Sequence, residues 1–305
     1  MTALTSRPPA THRRATPSRK SPVKRRSTPL TIAMLAALAY FLLPLFWLVV
    51  ASTKSTQDLF STFGLWFSRT PRLLANIQAT FAHDDGVFAH WLLNTVLYAV
   101  ISSFGAALLA ACAGYGFAKF RFRGDRAAFN LVLGAIMVPA TALAIPTYLL
   151  FAKVDLVNTP WAIILPSLVS PFGLYLMRIY AQDAVPDSIL EAARIDGAGE
   201  LKIFFTIVMR LLAPGLVTVV LFTLVSTWNN YFLPLIMLND PGLYPVTVGL
   251  ASWASQAVGG GSGANSDMLA LVVTGSLLSV VPLVAAFLML QRYWQSGLTS
   301  GGVKQ

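Results

Sequence analysis

Cysteine, histidine and charge are all scarce in this sequence. Cys112 is the single cysteine in 305 residues, which leaves no internal disulfide and no cysteine-based metal site. His12, His83 and His90 are too scattered to argue for a metal centre. Charged residues make up 11% of the chain against 56% hydrophobic, and the mean hydropathy is +0.66. A soluble domain carries about a quarter charged residues, so lipid must cover much of this apolar surface. No G-x-x-x-x-G-K-[ST] loop occurs, and the glycine run at 259–263 has no following lysine. The chain therefore lacks a P-loop for ATP.

What is present in quantity is uninterrupted apolar sequence. A helix crosses about 30 Å of hydrocarbon with about 20 residues. Leu30–Ser52, Trp91–Ala118, Ala127–Ala152, Leu156–Met177, Leu211–Leu238 and Met268–Gln291 contain no Asp, Glu, Lys or Arg. They predict an all-α integral membrane protein with six transmembrane helices, near 30–52, 91–118, 127–152, 156–177, 207–238 and 268–291. Pro241–Ser266 is also uncharged, but Gly-Gly-Gly-Ser-Gly at 259–263 predicts a loop there. Residues 1–29, mixing Pro, Ser, Thr, Lys and Arg, predict a disordered basic arm that can lie on anionic headgroups; residues 30–305 form the membrane domain. The first apolar run exceeds the 7 to 15 or so residues of a secretory signal core, so it is expected to remain as an anchor.

Of the 22 Lys and Arg residues, all but Lys54, Arg69, Arg72 and Lys153 fall on one side of this topology. The positive-inside rule makes that side the cytoplasm, with both termini on it. The charge-free runs hold no ionisable residue of the kind that relays protons or holds ions in coupled carriers. An ion-coupled secondary transporter remains the alternative function, since unwound backbone can also bind sodium. For a membrane enzyme, His83 with Asp84 and Asp85 is the nearest approach to a site, but adjacent residues rarely converge on one substrate atom. A solvated turn is the better reading.

The loop between the fourth and fifth spans, residues 183–203, has the most unusual pattern. Ser188 and Glu191 have the spacing of a capping box and predict a helix start. Ile189, Leu190, Ala193 and Ile195 supply an apolar side, and Asp196-Gly197 predicts a stop in which glycine accepts left-handed backbone. Helix resumes near Glu200. An interfacial amphipathic helix is one reading. The small residues Ala192, Ala193, Gly197, Ala198 and Gly199 favour the other, a helix that docks closely on a partner.

Glu-Ala-Ala-Arg-Ile-Asp-Gly-Ala-Gly at 191–199, followed by Ile203, Phe204, Ile207 and Pro214, resembles the EAA loop of bacterial ABC importer permeases. Residues 138–150, 156–166 and 228–235 and the ending from Gln291 to Lys304 extend the resemblance to the carbohydrate-uptake branch, the maltose-transporter type, over about residues 30–305. Met209-Arg210 stands where Leu-Pro is usual in that family, which predicts a straighter helix entry with a charge at the interface. Asp155 stands where glycine is frequent.

The resemblance implies a type I ABC importer permease fold with a cytoplasmic coupling helix, in a bacterial inner membrane. The chain would be a transport subunit and not an enzyme. Its implied partners are a second permease, two cytoplasmic ATPase subunits that bind ATP and Mg, an extracytoplasmic sugar-binding protein and a sugar. Glu191, Ala192, Ala193, Asp196, Gly197, Ala198 and Gly199 would form the ATPase-coupling segment, with Glu191 for capping and polar contact and Gly197 for the turn. Asn94, Trp228, Asn229, Asn230 and Tyr231 are candidates for the sugar path, because sugars need aromatic stacking and neutral hydrogen bonds. Interhelical bonding explains the same residues.

Overall fold

Most charge-free sequence becomes helix in the computed structural model, which describes residues 27–259 and 267–300, with side chains described through Gln291. Among the described residues there is no strand. The helices are α1 (Thr28–Ser52), α2 (Thr56–Ser61), α3 (Leu73–Ala82), α4 (Val87–Lys119), α5 (Asp125–Ile136), α6 (Ala140–Ala152), α7 (Trp161–Ser167), α8 (Pro171–Ala184), α9 (Asp187–Ile195), α10 (Glu200–Ile203), α11 (Met209–Leu211), α12 (Ala213–Trp228), α13 (Phe232–Met237), α14 (Val246–Gly259) and α15 (Met268–Ser300). A π-helical turn, Phe204–Val208, lies between α10 and α11.

Met1–Pro44 and Leu45–Gln305 separate as two compact units. The described part of the first is the start of α1, whose apolar residues, such as Leu30, Met34 and Phe41, are exposed. Helix begins at Thr28, inside the expected arm of 1–29; residues 1–26 of that arm lie outside the described residues.

Four runs are long and apolar enough to cross a membrane: Thr28–Ser52, Leu73–Lys119, Trp161–Ala184 and Met268–Gln291. The number rises to six if each of two bent pairs is one span. The expected continuous spans at 127–152 and 207–238 are in fact broken. α5 and α6 meet at 106°, where Pro139 caps α6 in extended backbone and, lacking an N–H, cannot continue α5. The helix running from Glu200 to Leu211 meets α12 at 79°, with Pro214 in the first turn of α12, and the helix is interrupted again at Asn229–Tyr231 before α13. A bend therefore forms at Leu212 even though Arg210, which is exposed, replaces the family's proline. Helical structure in the expected span 156–177 starts only at Trp161 and runs on to Ala184. Asp155 has φ of 53°, a left-handed conformation that glycine adopts freely and that aspartate tolerates.

Pro241–Ser266 is not all loop. Val246, Leu250, Trp253 and Ala257, at helical spacing, pack α14 into a cluster with Phe88 and Trp91. The glycine run begins only where α14 ends; residues 260–266 lie outside the described residues.

α4 is the central helix, packed against α8 and α12. Ala99, Ser102, Ser103, Ala106, Ala107, Ala110, Ala111 and Gly114 form its buried stripe, and small residues allow neighbouring backbones to approach. A Cβ on Gly114 would lie 2.7 Å from the Met177 Cβ and the Arg178 backbone nitrogen. Cys112 points away from that stripe and is exposed.

Candidate functional site

The loop that follows α8 is built from short, well-terminated helices. Val185 is fully buried and Pro186, in extended backbone, is the N-cap of α9. The expected Ser188–Glu191 capping box does not form: α9 begins at Asp187, so Ser188 lies within its first turn, and no side chain caps the start. Proline presets the backbone for the turn and leaves no N–H of its own to satisfy.

The C-terminus matches its sequence signal. The Gly197 N–H donates to the Arg194 carbonyl and the Ala198 N–H to the Ala193 carbonyl, both at 3.0 Å, which together make a Schellman motif. Gly197 has the required φ of 79°. Gly199 then turns to extended backbone and serves as the N-cap of α10.

The apolar side of α9 is split. Leu190 and Ala193 are buried with Ile203, Phe204 and Val208 against Ala107, Ala110, Ala111 and Tyr115 of α4. Ile195 is instead 85% exposed, and Leu201 beyond the turn is 77% exposed. Ala198 packs partly on the cluster, while Glu191, Ala192, Asp196, Gly197 and Gly199 are exposed. The result is a loop anchored beneath and carrying apolar side chains on top.

Arg194 and Glu200 close the turn from outside. Arg194 Nε donates to Glu200 Oε1 at 2.6 Å and Nη2 to Oε2 at 3.3 Å. This hydrogen bonding is the main reason that the Glu200 carboxyl is held below its ordinary 4.5 and the guanidinium is raised above its own. Because the folded value of Glu200 is depressed, the pair's contribution is complete above pH 4.5 and is lost as pH falls through the lowered value. Amide-exchange protection at Gly197 and Ala198, corrected for intrinsic rates, should therefore stay flat near neutrality and decline only in acid. A decline between about pH 6 and pH 8, where histidine and not carboxylate titrates, would contradict this assignment.

The candidates for a substrate path divide differently. Asn94 Nδ2 donates to the carbonyls of Gly242 (2.7 Å) and Tyr244 (3.2 Å). On the same face of α4, Trp91 Nε1 donates to the Pro241 carbonyl at 2.8 Å, and the Tyr98 hydroxyl to that of Leu243 at 2.9 Å. Thr95 Oγ1 accepts from the Val246 N–H at 2.8 Å. These four residues, at i, i+3, i+4 and i+7, hold segment 241–246. Trp228 is buried with Ala99 and Leu224. Asn229 Nδ2 bonds back to the Val225 carbonyl, whereas the Asn230 carbonyl accepts from Thr247 and its side chain from the Leu233 N–H. Asn94 and Asn230 thus both grip the stretch 242–247, while Asn229 and Tyr231 remain exposed. Residue type alone does not single out Trp91, Thr95 and Tyr98, although their helical spacing with Asn94 is visible in the sequence.

The sequence matches the family described as "Binding-protein-dependent transport system inner membrane component" over residues 103–299. It is 34% identical, over 92% of its length and 100% of the relative's, to the "Arabinooligosaccharides transport system permease protein AraQ" of Halalkalibacterium halodurans. It is 31% identical to the "Lactose transport system permease protein LacG" of Rhizobium radiobacter, over 92% of this chain and 98% of that one. Among solved structures it resembles the "Crystal structure of a bacterial ABC transporter involved in the import of the acidic polysaccharide alginate", with a TM-score of 0.74 and 21% identity, over 90% of this chain and 100% of that one. That likeness establishes the fold.

Proposed function

This chain belongs to the binding-protein-dependent transport system inner membrane component family, and from that premise we propose that it is the permease subunit of an ATP-driven importer of an oligosaccharide or related carbohydrate. It works with a binding protein, a second permease and an ATPase, and ATP is hydrolysed outside this chain. We assign two ATPase chains to the assembly and an outer position to the binding protein.

The basic loops 120–126 and 183–203 are assigned to the cytoplasmic side, with both termini. Their residues lie at one end of α4, since Lys119 reaches Asp187, and positive charge is retained at the cytoplasmic face. The segment Glu191–Gly199 is then the part that enters a cleft of an ATPase subunit. The observation that carries this reading is the split helix: Leu190 and Ala193 seat the loop on α4, while exposed Ile195 and Leu201 flank the Gly197 turn as partner-facing apolar groups. Glu191 contributes polar contact there, without the capping role. Of the sugar-path candidates, Asn94, Trp228 and Asn230 act by positioning the helix ends, and Asn229 and Tyr231 are the ones free to meet a sugar.

Purification tests the assignment. The chain should co-isolate with an ATPase whose hydrolysis rises when a sugar-loaded binding protein is added, and uptake into proteoliposomes should require ATP. Uptake by the chain alone, driven by an ion gradient, would establish the secondary-carrier reading instead.

A further inference from the structure

The covalent routes out of the loop are interrupted. Towards α12 the chain passes through a π-helical turn at Phe204–Val208 and then the 79° bend. Towards α8 it passes through Val185 and Pro186, both in extended backbone. Neither joint continues α9 as one straight helix into a span.

α4 is different. It is one helix of 33 residues, about 50 Å long at 1.5 Å per residue. At one end Trp91, Asn94, Thr95 and Tyr98 hold segment 241–246. At the other it touches the loop in two ways. The Tyr115 ring lies 5.6 Å from that of Phe204, within the shared apolar cluster. Lys119 Nζ donates to Asp187 Oδ1 at 2.7 Å, at the first residue of α9. Apolar contacts can slide, whereas a short ion pair fixes direction and register. Its lysine side chain is only 9% exposed while the aspartate is 75% exposed. The largely buried lysine side chain has Asp187 as its carboxylate partner, while Glu200 is engaged by Arg194.

We propose that Lys119 is a positioning residue, whose ion pair to Asp187 makes α9 move with α4, and that α4 carries loop displacement to segment 241–246. This rests on the reading of Glu191–Gly199 as the ATPase-coupling segment. Packed cores deform little, so a rod held at both ends passes displacement along its length.

The test uses the assembled complex with its ATPase chains and binding protein in proteoliposomes, reading sugar transported per ATP hydrolysed. Asp187→Asn, at an exposed carboxylate, should leave assembly intact and lower that ratio by about tenfold, the size of a coupling between contacting residues. Lys119→Met should do the same, and the double variant should be no worse than either single one. Exchanging the charges, Lys119→Asp with Asp187→Lys, should restore most of the ratio, which a role confined to stability does not predict. An unchanged ratio in Asp187→Asn, or an assembled charge-exchange variant that stays uncoupled, overturns the proposal. If Lys119→Met fails to assemble, Asp187→Asn and the charge exchange decide. Gly197→Asp in the same complex separates the two ideas: if it uncouples while Asp187→Asn does not, only the α4 proposal fails, and if it transports normally the coupling assignment itself fails.

Discussion

Gly197→Asp should abolish uptake and the coupling of ATP hydrolysis to transport, while the protein still inserts in the membrane and assembles with its partners. The geometry says why the fold survives. Gly197 is exposed, and a Cβ built on it meets nothing within 4 Å, so no clash arises. Its φ of 79° makes any L side chain strained, at a cost of about 1–2 kcal/mol. That is a fraction of a typical folding stability of about 5–15 kcal/mol. Aspartate tolerates left-handed backbone, as at Asp155, so the loss comes from docking: the added carboxylate would be buried beside Ile195 if the loop enters a cleft, where an unpaired charge is costly. A graded series separates the effects. Gly197→Asn should keep more uptake than Gly197→Val, because asparagine visits left-handed backbone and a β-branched residue does not. Uptake, ATPase activity and complex yield are measured together. Normal uptake in an assembled Gly197→Asp complex would remove the basis for placing the coupling surface here.

Much of this is legible in the sequence. Charge-free runs marked most of the helices, because lipid admits little else, and Asp196-Gly197 marked a helix end because few residues but glycine supply that turn. The failures have physical causes. Ser188 and Glu191 have capping spacing, but Pro186 upstream starts the helix two residues too soon for the box. Ile195 is five residues from Leu190, a rotation of roughly 140° from it at 3.6 residues per turn, so the two cannot share a face; the wheel contained that answer. The 106° break at Pro139 and the 79° break before Pro214 are signalled by proline, but their angles come from packing. α14 was hidden by its composition, since a glycine run beside it outweighed the Val246, Leu250, Trp253 and Ala257 spacing. Lys119 and Asp187 are 68 residues apart, and the donors of α4 lie about 150 residues from segment 241–246; no local pattern pairs them.

Trp91→Ala should cause the largest loss of stability, and a second substitution should partly reverse it. Trp91 is 2% exposed, its ring centroid lies 4.8 Å from that of Trp253, and its Nε1 satisfies the Pro241 carbonyl. Truncating a buried tryptophan costs about 3–5 kcal/mol through lost contacts and the cavity that remains. The unpaired carbonyl and the loosened segment 241–246 add to the loss. Gly249 on α14 exists as a glycine for the same reason: a Cβ there would lie 2.1 Å from Trp91 Cε3, inside the ring's own volume. Gly249→Val alone should also destabilise, because the indole edge has no room to yield among Phe88, Trp253 and the buried residues around them. In Trp91→Ala combined with Gly249→Val, however, the valine enters space that the indole has left. The double variant should therefore melt above the temperature expected from adding the two single losses, in a thermal unfolding series of the purified membrane protein. Contacting residues give such non-additivity and distant ones do not. Strict additivity would mean that α4 and α14 do not meet through Trp91 and Gly249, and the grip of α4 on segment 241–246 would then lose its anchor.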